Sequence, residues 1–173
     1  MNKCVFLDRD GVLNQEIGNY VYRPEELIIP AGVPEALQLL KGAGYKLVVV
    51  TNQAGIAQGL YTRREVLLIY GLIQDACNGA LDALYFSPYQ PRYDSESLSR
   101  KPGSLMLEKA TARFGIDLDR SWMVGDRQRD LEAARRLDVK GIFIRNDKEL
   151  APPDAAYVAN DLLDAARYIL RQS

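Results

Sequence analysis

The chain has 173 residues, of which 47% are apolar and 26% are charged. This length predicts one domain, spanning residues 1–173, with a hydrophobic core of its own. The formal net charge of −1 argues against binding nucleic acid through a broad basic surface. The apolar runs are too short for a membrane-spanning helix, and charge at Lys3 and Asp8 stops the N-terminus before a signal-peptide core develops. We expect a cytoplasmic protein that binds no membrane.

The chain contains no histidine and only two cysteines, Cys4 and Cys77. The lack of histidine excludes serine-histidine triads, cysteine-histidine pairs and histidine zinc sites. The two cysteines are far apart and have no close-spaced partner, so we expect buried free thiols. Any catalysis must therefore use carboxylates, hydroxyls, amines or a hard metal ion.

Short apolar runs alternate with segments of helical periodicity along the chain. In chain order the pattern predicts a strand at 3–7, a helix at 34–41, a strand at 46–50, a helix at 62–78, a strand at 84–86, a helix at 104–114, a strand at 121–124, a helix at 128–137, a strand at 141–144, a weaker strand at 157–158 and a helix at 162–171. This alternation is typical of an α/β fold. We predict a three-layer, Rossmann-like parallel sheet with helices on both faces and no large cap domain.

Two irregular stretches, residues 11–32 and 87–103, are much longer than the usual connection of about 4 to 6 residues. Long loops in a compact domain are usually binding loops or lids. We therefore expect both stretches to lie near a functional site.

Polar and charged residues follow several of the predicted strands. The first strand is followed by Asp8 and Asp10, the second by Thr51, and the fourth by Asp126 and Asp130. Ligands of open parallel sheets bind at the carboxyl ends of the strands, so these side chains are expected to converge on one edge. Arg100 and Lys101 precede the fourth strand in the second long loop and supply positive charge.

A cluster of carboxylates without histidine or cysteine favours Mg²⁺, and the nearby lysine and hydroxyl favour a phosphate group. In an extended strand, Asp8 and Asp10 share a face and lie roughly 6.5 to 7 Å apart. One carboxylate can attack phosphorus in line while the other protonates the leaving oxygen. The result would be an aspartyl-phosphate that water later hydrolyses.

The motifs Asp8-x-Asp10-Gly11-Val12, Thr51-Asn52, Lys101 and Gly125-Asp126-x-x-x-Asp130 occur in this order at strand ends. Together they resemble the four motifs of the haloacid dehalogenase superfamily of phosphatases. More narrowly, residues 51–57 (TNQAGIA), 100–102 (RKP) and 124–127 (VGDR) resemble the branch of histidinol-phosphate and heptose-bisphosphate phosphatases. The similarity runs from residue 5 to about residue 145.

By this resemblance, Asp8 is the expected nucleophile and Asp10 the general acid and base. Mg²⁺ is expected to bind the Asp8 carboxylate, the Asp10 backbone carbonyl and Asp126. Asp130 is expected to orient Lys101 or a metal-bound water.

The remaining predicted site residues contact the phosphate or the rest of the substrate. Thr51 and Lys101 are expected to hold phosphoryl oxygens, and Asn52 to position the loop or the substrate. Three basic residues complete the expected phosphate and substrate contacts: Arg9, Arg100 and Arg127.

The second long loop departs from the branch it resembles. Members of that branch carry a zinc loop written Cys-Pro-His followed by Cys-x-Cys, whereas the same frame here contains Ser87-Pro88-Tyr89 and Ser97-Leu98-Ser99. Neutral serine and tyrosine are not zinc ligands, so no zinc is expected. We predict instead that packing of Tyr89, Tyr93 and the loop prolines orders this segment.

We therefore expect a magnesium-dependent phosphomonoester hydrolase that acts on a small phosphorylated metabolite and is a monomer. The preferred substrate is a sugar bisphosphate such as D-glycero-D-manno-heptose 1,7-bisphosphate, with its second phosphate anchored on Arg100. Histidinol phosphate and polynucleotide 3'-phosphate ends are the alternative substrates. A phosphate-accepting receiver domain is the alternative from another class, but receivers keep the phosphoacceptor on a middle strand and have no second acidic pair like Asp126 and Asp130.

Overall fold

The computed structural model describes residues 1–173 and contains one six-stranded sheet in the order β3-β2-β1-β4-β5-β6. All neighbouring strands are parallel. The strands are β1 (Cys4–Leu7), β2 (Lys46–Asn52), β3 (Ala83–Ser87), β4 (Trp122–Gly125), β5 (Lys140–Ile144) and β6 (Tyr157–Ala159). The predicted α/β class with a Rossmann-like parallel sheet is confirmed.

Five α-helices connect or follow the strands. They are α1 (Gly32–Gly42), α2 (Arg63–Ala76), α3 (Leu105–Phe114), α4 (Gln128–Arg135) and α5 (Leu162–Arg171), with short 3₁₀ helices at Pro24–Glu26 and Leu118–Arg120. Local signals fix two of the ends. Thr62 and Glu65 form a reciprocal capping box at the start of α2, and Gly115 adopts a left-handed φ of 57° just after α3.

The sheet separates two hydrophobic clusters, because successive residues of a strand point to opposite faces. Val5 and Leu7 of β1 belong to a cluster of 26 buried residues, which includes side chains of α1, α2 and α5. Cys4 and Phe6 belong to a cluster of 13 on the other face, with side chains of α3 and α4. The sheet is thus the middle of three layers. Both cysteines are buried free thiols, as expected, and no helix has the length and apolar character needed to cross a membrane.

The topology places the central strand between the two strands that carry the other site motifs. Leu7, the last residue of β1, pairs with Val49 of β2 on one side and with Val124 of β4 on the other. The residues that follow these strands therefore meet at one edge of the sheet.

Asp82 joins β2 and β3 at the opposite edge. Its carboxylate accepts hydrogen bonds from the Leu47 backbone N–H at 2.8 Å and from Lys41 Nζ at 2.6 Å, and it lies 3.3 Å from Lys46 Nζ. Partial burial acts to raise the pKa of Asp82, but the Lys41 and Leu47 hydrogen bonds and the charge of Lys41 outweigh it and hold that pKa below its usual value.

Replacing Asp82 with Asn is expected to lower the free energy of unfolding by about 1 to 2 kcal/mol at pH 7, because the charge-assisted bonds are lost. A carboxylate with a lowered folded-state pKa stabilises the protein above its unfolded-state pKa, and this contribution disappears as pH falls through the folded-state value. The gap between wild type and Asp82→Asn should therefore close in acid. Urea unfolding at pH 7 and pH 3 measures this difference in the free energy of unfolding, and the exposed Asp75→Asn is the control. A difference as large at pH 3 as at pH 7 would contradict the ion-pair explanation.

Candidate active site

The carboxyl ends of β1, β2 and β4 border a cleft of about 360 Å³. Its lining includes six of the predicted site residues: Asp8, Asp10, Thr51, Asn52, Asp126 and Arg127. Asp8, Asp126 and Asp130 are all buried, and one carboxylate oxygen from each lies within 4.8 Å of the others. The structure thus brings together the acidic residues that the strand-end pattern singled out.

Lys101 lies beneath this cluster and is only 1% exposed. Its Nζ is 2.9 Å from Asp8 Oδ1 and 2.7 Å from Asp130 Oδ1, and it donates a hydrogen bond to the Val50 carbonyl at 2.8 Å. Burial acts to lower the pKa of Lys101, but the charges of Asp130 and Asp8 outweigh burial and raise it. The ammonium group is therefore held in its charged form between two carboxylates.

Asn52 holds the backbone of Lys101 in place. Its Nδ2 donates to the Lys101 carbonyl at 3.1 Å, and its Oδ1 accepts from the Lys101 N–H at 2.9 Å. Of the two roles expected for Asn52, this geometry supports positioning of the loop.

The acidic cluster carries more negative charge than Lys101 can balance. Burial and the neighbouring carboxylates raise the pKa of Asp126 to about 8, and burial and Asp130 raise the pKa of Asp8. The Asp10 backbone carbonyl accepts no hydrogen bond from the backbone. Gly11 has a φ of +83°, and a Cβ at this position would lie 2.1 Å from Asp126 Oδ2, so the backbone wraps closely around that carboxylate. Oxygen ligands with unbalanced charge fit a hard divalent cation.

The carboxyl group of Asp10 is held by donors from three residues. Arg9 Nη2 and Asn14 Nδ2 donate to Oδ1 at 2.8 and 3.1 Å, and Gln53 Nε2 donates to Oδ2 at 3.2 Å. Arg9 is 2% exposed, and its Nη2 also donates to the Val21 carbonyl at 2.7 Å. The Arg9 side chain is therefore buried against Asp10 and does not line the cleft, and the substrate contact that we expected for it stays a prediction.

Arg127 and Arg129 line the cleft, whereas Arg100 does not, and these three arginines differ in their partners. Arg127 is 3.5 Å from Glu149 and 3.8 Å from Asp126. Arg100 donates only to the Tyr89 carbonyl, at 3.3 Å, and its pKa is lowered by partial burial and by the positive charge of Arg129. The positive charge of Arg129 thus acts on Arg100, and neither guanidinium group forms an ion pair with a carboxylate.

Arg129 lines the cleft but was missed by sequence reasoning. It lies in the first turn of α4, where a positive charge is unfavourable next to the helix dipole. An arginine at this unfavourable position of α4 is the feature of the sequence that could have indicated a role for Arg129 other than stabilising the helix.

Comparison with known proteins supports the same interpretation of the cleft. A family model described as HAD-hydrolase-like matches residues 98–165. The chain is 34% identical to the D-glycero-D-manno-heptose-1,7-bisphosphate 7-phosphatase of Chlorobaculum tepidum, over 98% of this chain and 96% of that protein. It is 36% identical to the D-glycero-beta-D-manno-heptose-1,7-bisphosphate 7-phosphatase of Haemophilus influenzae, over 99% and 98%.

The chain belongs to the HAD-type phosphatases. Among solved structures, it resembles the D,D-heptose 1,7-bisphosphate phosphatase of B. bronchiseptica, described as complexed with magnesium and phosphate. The TM-score is 0.88 with 29% identity, and the match covers 99% of both chains.

The second long loop of this HAD phosphatase is tied by serine hydroxyl groups. Ser99 Oγ lies 2.9 Å from Ser87 Oγ and 2.8 Å from Ser97 Oγ, and the Ser99 N–H donates to Ser97 Oγ at 3.2 Å. Tyr89 and Tyr93 are 40% and 60% exposed, so these two rings supply only part of the packing that we predicted for the tyrosines and prolines of this loop. The small serine hydroxyl groups bond to one another across the loop, whereas more than half of the Tyr93 side chain is exposed.

Replacing Asp126 with Asn is expected to change how pH and Mg²⁺ affect stability. A carboxylate whose folded-state pKa is raised destabilises the protein as pH rises from its usual value of 3.8 towards about 8. A bound cation removes this repulsion, so Mg²⁺ should raise the melting temperature of the wild type more at pH 8 than at pH 5. Asp126→Asn should lose most of that difference.

Calorimetry with EDTA or with Mg²⁺ at both pH values measures the effect, and Asp75→Asn provides the exposed control. An Asp126→Asn variant with the full, pH-dependent response to Mg²⁺ would show that this carboxylate does not belong to the metal site.

Proposed function

We propose that this HAD phosphatase removes one phosphate from a sugar bisphosphate, with D-glycero-D-manno-heptose 1,7-bisphosphate as the leading candidate. The observation that carries the proposal is that Arg129, which lines the cleft, and Arg100 in the second long loop form no ion pair with a carboxylate, while the acidic cluster already has its own cation, Lys101. The names of the relatives support the same substrate class.

In the proposed reaction the Asp8 carboxylate attacks phosphorus. Lys101 is placed to neutralise a phosphoryl oxygen, and the Thr51 hydroxyl to donate to another. Asp10 also lines this cleft and would give a proton to the leaving oxygen. Asp10 then accepts a proton from the water that hydrolyses the aspartyl-phosphate.

We propose Mg²⁺ as the cofactor, bound by the carboxylates of Asp8 and Asp126 and by the Asp10 carbonyl. When bound, the ion would balance negative charge on the phosphoryl group. Asp130 would act through Lys101, because its carboxylate is 0% exposed and lies 2.7 Å from the Lys101 ammonium. The prediction of no zinc rests on the serine and tyrosine side chains at the loop positions where the branch carries its ligands.

The second phosphate is proposed to bind between Arg100 and Arg129. A dianionic phosphate would balance the two positive charges and could accept paired hydrogen bonds from each guanidinium group. Histidinol phosphate has a single phosphate and would leave the pair unbalanced, so we favour a bisphosphate. The single-domain organisation, the monomeric state and the cytoplasmic location stay predictions.

Replacing Arg100 or Arg129 with Ala should lower kcat/KM for the heptose bisphosphate by about 10- to 100-fold, the effect of losing a charge-assisted contact. The same variants should change kcat/KM for the corresponding heptose 7-phosphate much less, because that substrate lacks the anchored phosphate. Phosphate release with both substrates measures the ratio, and the exposed Arg167→Ala on α5 is the control. Equal losses for the two substrates would refute the anchoring role and leave the phosphatase activity standing.

A further inference from the structure

We propose that Gln53 and Tyr61 form a positioning pair that aims the proton-carrying oxygen of Asp10 and the hydroxyl proton of Thr51 into the cleft. The inference rests on the proposed role of Asp10 as general acid. It assigns a purpose to two buried polar side chains that the reaction described above does not use.

Gln53 is fully buried and makes three hydrogen bonds with its side-chain amide. Nε2 donates to Asp10 Oδ2 at 3.2 Å and to Thr51 Oγ1 at 3.0 Å, while Oε1 accepts from the Tyr61 hydroxyl at 2.6 Å. A primary amide has two N–H donors and one carbonyl. One amide group therefore contacts both an acid and a phosphate-binding hydroxyl.

Tyr61 fixes the orientation of that amide. Its hydroxyl can donate to Gln53 only if the amide oxygen faces it, and this turns the NH₂ group towards Asp10 and Thr51. Burial raises the pKa of Tyr61, so its hydroxyl keeps the proton that it donates. A reversed amide would direct its oxygen at the Asp10 carboxylate, which is unfavourable.

The backbone near Gln53 leaves space for the Tyr61 ring. A Cβ at Gly55 would lie 2.2 Å from Tyr61 Cε1, so a side chain at residue 55 would displace the ring. Tyr22 stacks on the other side, with ring centroids 5.0 Å apart. The hydroxyl of Tyr61 is therefore held in place by packing as well as by its hydrogen bond.

The bonds to Asp10 distinguish its two oxygens. Oδ1 accepts from Arg9 Nη2 and from Asn14 Nδ2, and Arg9 Nε lies 3.3 Å away. Oδ2 accepts only from Gln53 and is the oxygen with a site left for a proton. In the transfer step the bond from Asp8 to phosphorus forms, the bond from phosphorus to the leaving oxygen breaks, and that oxygen takes the proton from Asp10 Oδ2.

The hydrogen bond from Gln53 to Thr51 orients the Thr51 hydroxyl group. Because Thr51 Oγ1 accepts from Gln53, its own hydrogen remains to be donated elsewhere, and its acceptor within the protein is the Asn52 carbonyl at a long 3.4 Å. A phosphoryl oxygen in the cleft would be a better acceptor. The same amide thus prepares the phosphate-binding group and the acid.

The test compares a phosphate ester with a poor, alkyl leaving group and one with a good, aryl leaving group. Gln53→Ala should lower kcat/KM about 10- to 100-fold for the alkyl ester, in line with the cost of a misplaced catalytic group, and clearly less for the aryl ester. Tyr61→Phe keeps the ring and should show the same pattern with a smaller loss. In the double variant, Tyr61→Phe should add no further loss, because Tyr61 acts through Gln53.

Tyr70→Phe is the matched control, since the Tyr70 hydroxyl also bonds to a glutamine amide but lies on α2, outside the cleft. It should leave both rates unchanged. Equal losses for the two esters in Gln53→Ala, or additive losses in the double variant, would overturn the positioning pair. Asp10→Asn is the reference. If Asp10→Asn lacks the leaving-group dependence, the proposed general-acid role of Asp10 fails and the positioning pair fails with it. If Asp10→Asn has that dependence and Gln53→Ala does not, only the positioning pair fails.

Discussion

The site depends on a lysine ammonium group that is buried between two carboxylates. Lys101 reaches the carboxyl edge of the sheet from the second long loop, and its contacts to Asp8 and Asp130 join that loop to the end of β1 and to the first turn of α4. Removing one partner of a buried ion pair typically costs about 3 to 5 kcal/mol, because the other charge is left without compensation. The position of the second long loop, the charge of Lys101 and the position of the Asp8 carboxylate are therefore coupled through one ammonium group.

The surrounding residues act mainly on the members of this cluster. Asn52 holds the backbone of Lys101, Arg9 and Gln53 hold Asp10, and the serine hydroxyls tie the loop that carries Lys101. Few of these groups are free to move independently. A site of this kind needs little rearrangement when a phosphoryl group arrives, which is the condition under which fixed charges contribute most to catalysis.

Much of the fold and of the acidic cluster could be predicted from the sequence. Short apolar runs are the typical sequence pattern of strands that are buried in a parallel sheet, so these runs located the strands. Because the strands are parallel, the residues that follow them, Asp8, Thr51 and Asp126, must lie at the same edge of the sheet. Interactions that depend on the path of a loop could not be predicted in this way. The serine network and the side-chain direction of Arg9 arise only after the loops close.

The role of Gln53 could not be predicted from the sequence, but for a different reason. Position 53 immediately follows β2, so the sequence places it near the site, but an amide there fits a loop, a substrate contact or a buried hydrogen bond equally well. Only the contact with Tyr61, eight residues along the chain, distinguishes these possibilities.

The central claim is that Asp8 forms the covalent intermediate while Lys101 and the neighbouring carboxylates hold it in place. Rapid quenching during turnover with Mg²⁺ and substrate, followed by borohydride reduction, converts an aspartyl-phosphate to homoserine, and peptide mass spectrometry then locates the modified position. The account predicts homoserine at position 8 alone, and none in Asp8→Asn. Homoserine at position 10 or 126, or turnover by Asp8→Asn at the wild-type rate, would contradict it.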